Sequence, residues 1–152
     1  MRIGGWGQAT DHLARDRRDP LALVGSRMAW ERALTMASVT AEDLDLLELH
    51  DCFTIAELVL YETLGIAPRG EGHRALEEGW VERGGRLPVN LSGGLKAKGH
   101  PVGATGVSQH VLAAMQLSGS AGEMQLPGAR RAAVHTMGGL AVANYVTVLE
   151  AA

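Results

Sequence analysis

The apolar residues of this chain change their spacing along the sequence, and the spacing predicts alternating strands and helices. Ala29, Ala33 and Ala37 recur every four residues, which is typical of one face of a helix. Val146 and Val148 alternate with polar neighbours, which is typical of a strand. The predicted strands cover residues 2–9, 44–49, 87–91, 132–134 and 142–148, and the predicted helices cover about residues 24–37, 54–65 and 104–118.

This order of elements predicts an α/β fold, a layered mixed β-sheet with helices in the order βαβαβαββ. Strands joined through helices form parallel pairs, so we expect a mostly parallel sheet. A glycine turn at 138–139 joins the last two strands, so we expect an antiparallel pair at one edge. We expect one domain over residues 1–152, with residues 66–85 as an excursion that holds one short helix.

The predicted helix 104–118 carries a stripe of apolar residues. Val107, Val111, Ala114 and Met115 are spaced as on one helix face, and we expect this face to pack against the core. The N-terminus of the helix then points at the loop before it. Negative charge is favoured at such a helix end.

Composition and charge exclude several classes of protein. The net charge is −3 and there is no long basic run, so we do not expect nucleic acid as a partner; the cluster of Arg15, Arg17 and Arg18 is diluted by Asp11, Asp16 and Asp19. No apolar run is long enough to span a membrane, and no signal peptide is recognisable, so we expect a cytoplasmic protein. The six histidines lack metal-ligand spacing, and the single cysteine forms no intramolecular disulfide. We therefore expect no metal site.

The loop from Asn90 to Gly106 is the candidate active-site loop. It holds many glycines and has one histidine, His100, near its centre. Pro101 biases His100 away from the helical backbone conformation, so the imidazole is presented rather than buried. A phosphate-binding loop is rejected because His100 stands where the lysine of that motif is required. A structural turn with an incidental histidine is the alternative.

A second junction between a predicted strand and a helix also carries reactive side chains. His50, Asp51, Cys52 and Phe53 follow the strand 44–49. Functional groups gather at the carboxyl ends of parallel strands, so we expect His50, Cys52 and His100 to converge in one crevice. The alternative for Cys52 is a buried core thiol without a chemical role.

Three segments are similar to a known family. These are His50–Phe53, the stretch from Ser92–Leu95 through Lys98–Gly106, and Gln125–Ala129. With them the chain resembles the C-terminal half of thiolases, and it is most similar to the branch of sterol-carrier-type (lipid-transfer) proteins and archaeal acetyl-CoA acetyltransferases. The resemblance covers essentially the whole chain. It implies transfer of an acyl group through a thioester on a nucleophilic cysteine.

The resemblance also implies roles for individual residues. His100 matches the histidine that activates the nucleophile, and Cys52 matches the cysteine that exchanges a proton with the α-carbon of the substrate. His50 stands where other thiolases have a water-binding asparagine, and it would complete an oxyanion hole with His100. Further residues expected to bind the substrate or its oxyanion are Ser92, Gly99, Gly138 and Gly139. The resemblance implies a coenzyme A thioester as substrate and no bound cofactor.

Two departures from the family pattern shape the expected partners. Thr136, Met137 and Gly138 occupy the place where most thiolases carry Cys-x-Gly, a cysteine that the sterol-carrier-type branch also lacks. The nucleophilic cysteine of the family belongs to its N-terminal half, so we expect a separate thiolase N-terminal half-domain chain to supply it. An OB-fold accessory protein is a further expected partner. The alternatives are an inactive truncated thiolase and a non-catalytic scaffold that binds acyl-CoA or lipid.

Overall fold

A computed structural model describes all 152 residues and has the predicted α/β architecture. Four strands form one mixed sheet, and five α-helices lie in the connections between them. The elements are β1 (Arg2–Thr10), α1 (Val24–Ala37), β2 (Leu46–Glu48), α2 (Thr54–Thr63), α3 (Arg74–Glu77), α4 (Gly94–Lys98), α5 (Thr105–Leu117), β3 (Arg131–Gly138) and β4 (Ala143–Glu150).

The strand order corrects the predicted sheet. The order is β1-β4-β3-β2, and β2 pairs with β3 in parallel, whereas β4 is antiparallel to both β3 and β1. The expected mostly parallel sheet with an antiparallel edge is therefore wrong, because β4 folds back from β3 and lies inside the sheet. β1, β2 and β3 nevertheless run in the same direction, as the helical crossovers require.

The predicted strand over residues 87–91 is wrong in its extent. Only Val89 pairs with β2, as an isolated parallel bridge to Leu47. Pro88 has no backbone N–H to donate to a ladder, and Asn90 adopts a left-handed conformation with φ 51° that turns the chain away. The segment therefore runs beside β2 in the predicted direction but does not form a regular strand.

Shorter features agree with the sequence pattern. Thr40 and Asp43 form a capping box, and Gly65, with φ 78°, ends the turn after α2. α3 is the short helix expected within residues 66–85. α2 buries Val59, Leu60 and Tyr61, whereas Ile55 in its first turn is 62% exposed.

Two glycines of β1 allow α1 to lie unusually close to the sheet. A Cβ atom at Gly7 would collide with the carbonyl oxygen of Ala29, and one at Gly5 would collide with that of Ala33. Ala29 and Ala33 are fully buried in this contact. The small residues on both elements therefore fix the distance between the layers, since any larger side chain would push them apart.

The helix α5 turns its apolar stripe away from the sheet, so the predicted orientation is wrong. Val107 is 67% exposed and Val111 is 52% exposed. Thr105, Gln109 and Ala113 face the sheet instead and are buried. α5 is thus packed on one face by small and polar residues and leaves an apolar face open.

The open face of α5 adjoins an uncovered part of the sheet. α5 lies mainly over β2 and β3 and reaches β4 only near Leu149, so β1 and the start of β4 have no helix packed on them on this side. Trp6 is 56% exposed and Tyr145 is 47% exposed there. They project from the same face, because Trp6 pairs with Thr147 and Gln8 pairs with Tyr145.

None of the helices combines the length and the apolar character that crossing a membrane requires. The cytoplasmic location expected from the sequence stays a prediction.

We predict that Gly7→Ala destabilises the protein, because the added methyl group forces α1 away from β1. The expected loss in the free energy of unfolding is about 1 to 3 kcal/mol, the range typical of overpacked contacts. Gly84→Ala is the control, since a Cβ atom there meets no other atom within 4 Å. Urea unfolding followed by tryptophan fluorescence measures both variants. Equal losses in the two would contradict the proposed close packing.

Candidate active site

The two histidines predicted to converge do so at one end of the sheet. His50 follows the carboxyl end of β2, and His100 follows α4 by two residues. Their ring centroids are 5.0 Å apart and the planes are inclined at 80°, an edge-to-face arrangement. The structure therefore brings together two imidazoles from segments that are distant in sequence.

His100 is exposed and is oriented by the first turn of α5. Its Nδ1 lies 2.7 Å from Oγ1 of Thr105, and the same hydroxyl lies 3.0 Å from the carbonyl oxygen of Pro101. A hydroxyl has one proton, so when Thr105 donates to Pro101 the ring nitrogen Nδ1 must donate to Thr105. In the neutral form of His100 this arrangement places the proton on Nδ1, so Nε2 is the nitrogen that can act as a base.

His50 has the opposite environment. It is 5% exposed, and its Nδ1 has no hydrogen-bond partner. Burial lowers the pKa of His50 to about 4; a protonated His100 and the charge of Lys98 would lower it too, and the Asp51 carboxylate opposes them. The ring is therefore neutral at pH 7. A neutral imidazole carries one N–H group, which can donate to an oxygen in the crevice.

Asp51 joins the two loops that carry the histidines. Its carboxylate accepts a hydrogen bond from the backbone N–H of Leu95, with an N to Oδ1 distance of 3.0 Å. Gly94 lies against the carboxylate, where any Cβ atom would collide with it, and has φ 66°. No separate role was predicted for Asp51. The pairing of this residue with Gly94 is visible only in three dimensions.

A buried carboxylate lies beneath the same site. Glu48 is 1% exposed, and its Oε2 accepts a hydrogen bond from the Ser92 hydroxyl at 2.9 Å. Burial raises the pKa of Glu48 to about 7, although the Ser92 bond and the charge of Lys98 oppose the rise. Sequence reasoning missed this residue. Its signal was a carboxylate within the apolar run 44–49, which is rare in a buried strand.

Ser92 and Gly99, both expected to contact substrate, lie on the loop between the histidines. The Ser92 hydroxyl is already engaged, since it donates to Glu48 and accepts from the backbone N–H of Gly94 at 3.3 Å. Gly99 has φ 84° and open space around it, immediately before His100. The substrate-binding role of both residues stays a prediction.

Cys52 lies on the wall of a separate cavity that neither His50 nor His100 lines, so its predicted convergence with the two histidines stays a prediction. It is half-buried, and no hydrogen bond joins it to either imidazole. Burial raises the pKa of its thiol, so the sulfur carries its proton at neutral pH. The cavity has a volume of about 420 Å³. It is lined mainly by apolar side chains: Leu21, Leu23, Cys52, Phe53, Ile55, Ala56, Val59, Met137 and Leu140, with Pro20, Arg15 and Arg18.

The predicted glycine turn closes another side of this region. Gly138 and Gly139 are exposed at the carboxyl end of β3, next to Met137 on the cavity wall. Leu140 and Ala141 follow with φ values of 55° and 62°, which only tight turns impose on residues with side chains. The turn is therefore held in a strained conformation beside the cavity.

A buried chain of hydrogen bonds stabilises this turn. Ser26 of α1 donates to Oδ1 of Asn144 at 2.6 Å, and Nε2 of His135 lies 3.1 Å from the Ser26 hydroxyl. The Asn144 amide in turn donates to the carbonyl oxygen of Ala141 at 2.9 Å. Burial lowers the pKa of His135 to about 3, so its ring is neutral. These polar side chains therefore link α1 and β3 to the strained backbone.

Comparison with known proteins identifies relatives of the chain. A profile described as "Thiolase C-terminal domain-like" matches residues 7–151. The chain is 45% identical over 133 residues to an acetyl-CoA acetyltransferase of Methanothermobacter thermautotrophicus. The matched region covers 87% of this chain and 35% of the relative. The chain is 44% identical to sterol carrier protein 2 of Bos taurus, over 74% of this chain and 21% of the relative.

A solved structure shares the fold. A chain of the "Ltp2-ChsH2(DUF35) aldolase" superimposes with a TM-score of 0.84 at 24% sequence identity, over 98% of this chain and 39% of that chain. The chain described here thus spans about a third or less of the curated relatives above, and 39% of this structural neighbour.

We predict that Glu48→Gln changes how stability depends on pH. The folded-state pKa of Glu48 is raised from 4.5 to about 7, so the native state favours the protonated carboxyl and this group loses stability as the pH rises between these values. The amide does not ionise. The variant should therefore gain about 1 to 3 kcal/mol relative to the parent protein between pH 5 and pH 8, at about 1.4 kcal/mol per pKa unit.

Urea unfolding at a series of pH values measures this difference. His50 and His135, whose lowered pKa values act in the opposite direction, are present in both proteins, so their contribution cancels. A difference in stability that does not change between pH 5 and pH 8 would show that Glu48 is ionised in both states.

Proposed function

The chain belongs to the thiolase C-terminal domain-like family, and we propose that it supplies one half of the active site of an acyltransferase that acts on acyl-CoA and 3-ketoacyl-CoA thioesters. The observation that carries this proposal is the pair of imidazoles at 5.0 Å, one exposed and one buried. A transfer reaction through a thioester needs both a base for the nucleophilic thiol and donors for the oxyanion. The pair offers these two functions from adjacent positions.

His100 acts as the base in this proposal. Its Nε2 takes the proton of the nucleophilic thiol, while Thr105 holds Nδ1 and fixes the ring. His50 is neutral at the pH of the reaction, because burial keeps its pKa near 4, and it donates its N–H to the thioester oxygen. A positive charge on His50, 5.0 Å away, would disfavour protonation of His100 and so weaken it as a base.

Cys52 acts at the α-carbon of the substrate. The raised pKa of its thiol keeps the proton on sulfur at rest, which suits a group that donates a proton to a carbanion. Cys52 lines the apolar cavity, and in this proposal the acyl chain occupies that cavity. His100 and Cys52 therefore serve different steps.

The nucleophile comes from a thiolase N-terminal half in this proposal, since the only cysteine of this sequence is Cys52. The open face of α5 supports an extended partner, because Val107 and Val111 expose apolar surface beside Trp6 and Tyr145. Contiguous apolar surface of this kind is typical of an interface. The N-terminal half would cover both the helix and the open part of the sheet.

Coenzyme A enters this proposal only as part of the substrate, and no bound cofactor is needed for the steps above. An OB-fold accessory protein, expected from the family resemblance, stays a prediction. A non-catalytic module that binds acyl-CoA or lipid is the second candidate, and the apolar cavity beside Cys52 is the observation that favours it. Formation of an acyl-enzyme separates the two candidates.

We predict three distinct defects in the chain assembled with a thiolase N-terminal half. His100→Ala should lower the rate of acyl-enzyme formation by about 10² to 10⁴-fold, because it removes the base and an oxyanion donor together. Cys52→Ala should leave the acylation by a simple acyl-CoA largely intact but suppress condensation and α-proton exchange. His50→Ala should weaken both steps partially. Rapid-quench mass spectrometry and deuterium exchange measure them.

The 152-residue chain alone should show no burst of CoA release, and this is the matched control. Full condensation activity in Cys52→Ala combined with its loss in Thr136→Ala would contradict the role of Cys52. Absence of any acyl-enzyme in the assembled parent protein would favour the binding module instead.

We also predict that Val111→Asp weakens assembly with the N-terminal half. A charge in the middle of an apolar interface has to be desolvated without a partner, so the dissociation constant should rise at least about tenfold. Leu76→Asp is the control, because Leu76 is similarly exposed, at 50%, but lies on α3, outside the proposed interface. Analytical ultracentrifugation measures both, and equal effects would show that α5 is not the interface.

A further inference from the structure

The cavity beside Cys52 has an uneven distribution of charge. Its walls are almost entirely apolar, but Arg15 and Arg18 both line it, and no carboxylate does. Neither arginine takes part in a salt bridge within the chain. An apolar cavity of about 420 Å³ that is lined by two arginines without salt bridges suits a ligand that is apolar along its length and negatively charged at one end.

The two arginines are held differently. Arg18 is partly buried, and its Nη1 donates to the carbonyl oxygen of Leu140 at 2.5 Å, which ties the charge to the strained turn beside the cavity. Arg15 is exposed and belongs to a short 3-10 turn over residues 15–17. The guanidinium group of Arg18 keeps further N–H donors after this bond, since it has five.

Arg17 provides an internal comparison. It lies on the same turn as Arg15 and is exposed, but it does not line the cavity. The local acidic residues Asp16 and Asp19 are exposed, and Asp19 pairs with Arg69. The cavity is therefore positively charged because, of the charged residues of this segment, only Arg15 and Arg18 line it, although the segment also contains acidic residues.

We propose that this cavity binds the acyl group of the substrate and that Arg15 and Arg18 select acyl groups that end in a carboxylate. This inference rests on the proposed function, because it takes the occupant to be the acyl part of a thioester. The apolar chain lies between Cys52 and the arginines, and the terminal carboxylate accepts hydrogen bonds from their guanidinium groups. Charge-assisted bonds of this kind are the strong ones, especially where water is partly excluded.

The phosphate groups of coenzyme A are a second source of negative charge, and the experiment separates the two sources. Four unreactive thioether analogues serve as probes. Two carry pantetheine, which has no phosphate, linked to a seven-carbon chain that ends in a carboxylate or in a neutral amide. The other two carry the same chains on coenzyme A. Calorimetric binding to the chain assembled with its N-terminal half needs no turnover, so inactivity of the assembly does not affect the result.

In the pantetheine pair, we expect the analogue with the carboxylate to bind about tenfold more tightly than the analogue with the amide. This ratio of dissociation constants corresponds to about 1.4 kcal/mol. Arg15→Gln and Arg18→Gln should each reduce this preference about threefold, and the double variant should abolish it. Arg17→Gln should leave it unchanged. Arg18→Lys keeps the positive charge but changes the group that bonds to Leu140, and it should retain most of the preference. It therefore separates the effect of the charge from the effect of the bond to Leu140.

Three results would overturn the proposal. The first is equal binding of carboxylate and amide by the parent protein, and the second is a preference that survives in the double variant. The third is a loss of affinity confined to the coenzyme A analogues, which would assign the arginines to phosphate. Arg15→Gln keeps the test decisive if Arg18 variants do not fold, because Arg15 is exposed and makes no hydrogen bond that the fold needs.

Discussion

The hydrogen bond from the backbone of Leu95 to the Asp51 carboxylate is the contact on which the site depends. It connects the loop after β2 to the start of α4, and these are the segments that carry His50 and His100. The contact is possible only because position 94 has no side chain, since any Cβ atom would occupy the space of the carboxylate. The meeting of the two imidazoles is thus set by a glycine and an aspartate that do no chemistry themselves.

The two histidines of the site have identical side chains but different environments. His50 follows a buried strand directly, so the end of the sheet desolvates it and its pKa falls to about 4. His100 stands behind Gly99 and before Pro101, on a loop that projects into solvent, and only the Thr105 hydroxyl holds its ring. The difference in burial therefore follows from the position of each residue relative to its strand or helix, and chemistry that needs two kinds of imidazole can use it.

The elements were largely predictable from the sequence, whereas their arrangement was less so. The spacing of Ala29 and Ala33 predicts α1 with the bounds that the structure has, and the exposure of His100 follows from Pro101. Strand order was not predictable, because a β4 strand beside β3 can lie at an edge or pair again with β1. The orientation of α5 was missed because the periodicity of Val107 and Val111 indicates an apolar face without indicating what packs against it.

The orientation of α5 and the polar layer beneath it are connected. Thr105 and Gln109 face the sheet, where Gln109 accepts a hydrogen bond from Thr136 of β3 at 3.0 Å and Thr105 reaches back to His100. Turning the valines inward would bury apolar groups but would remove these polar side chains from the end of the sheet. A buried polar group that loses its hydrogen-bond partner costs more free energy than the bond itself contributes to stability. The polar face of α5 therefore stays against β3. The apolar face of α5 is then left exposed, which explains why Val107 and Val111 are not part of the core.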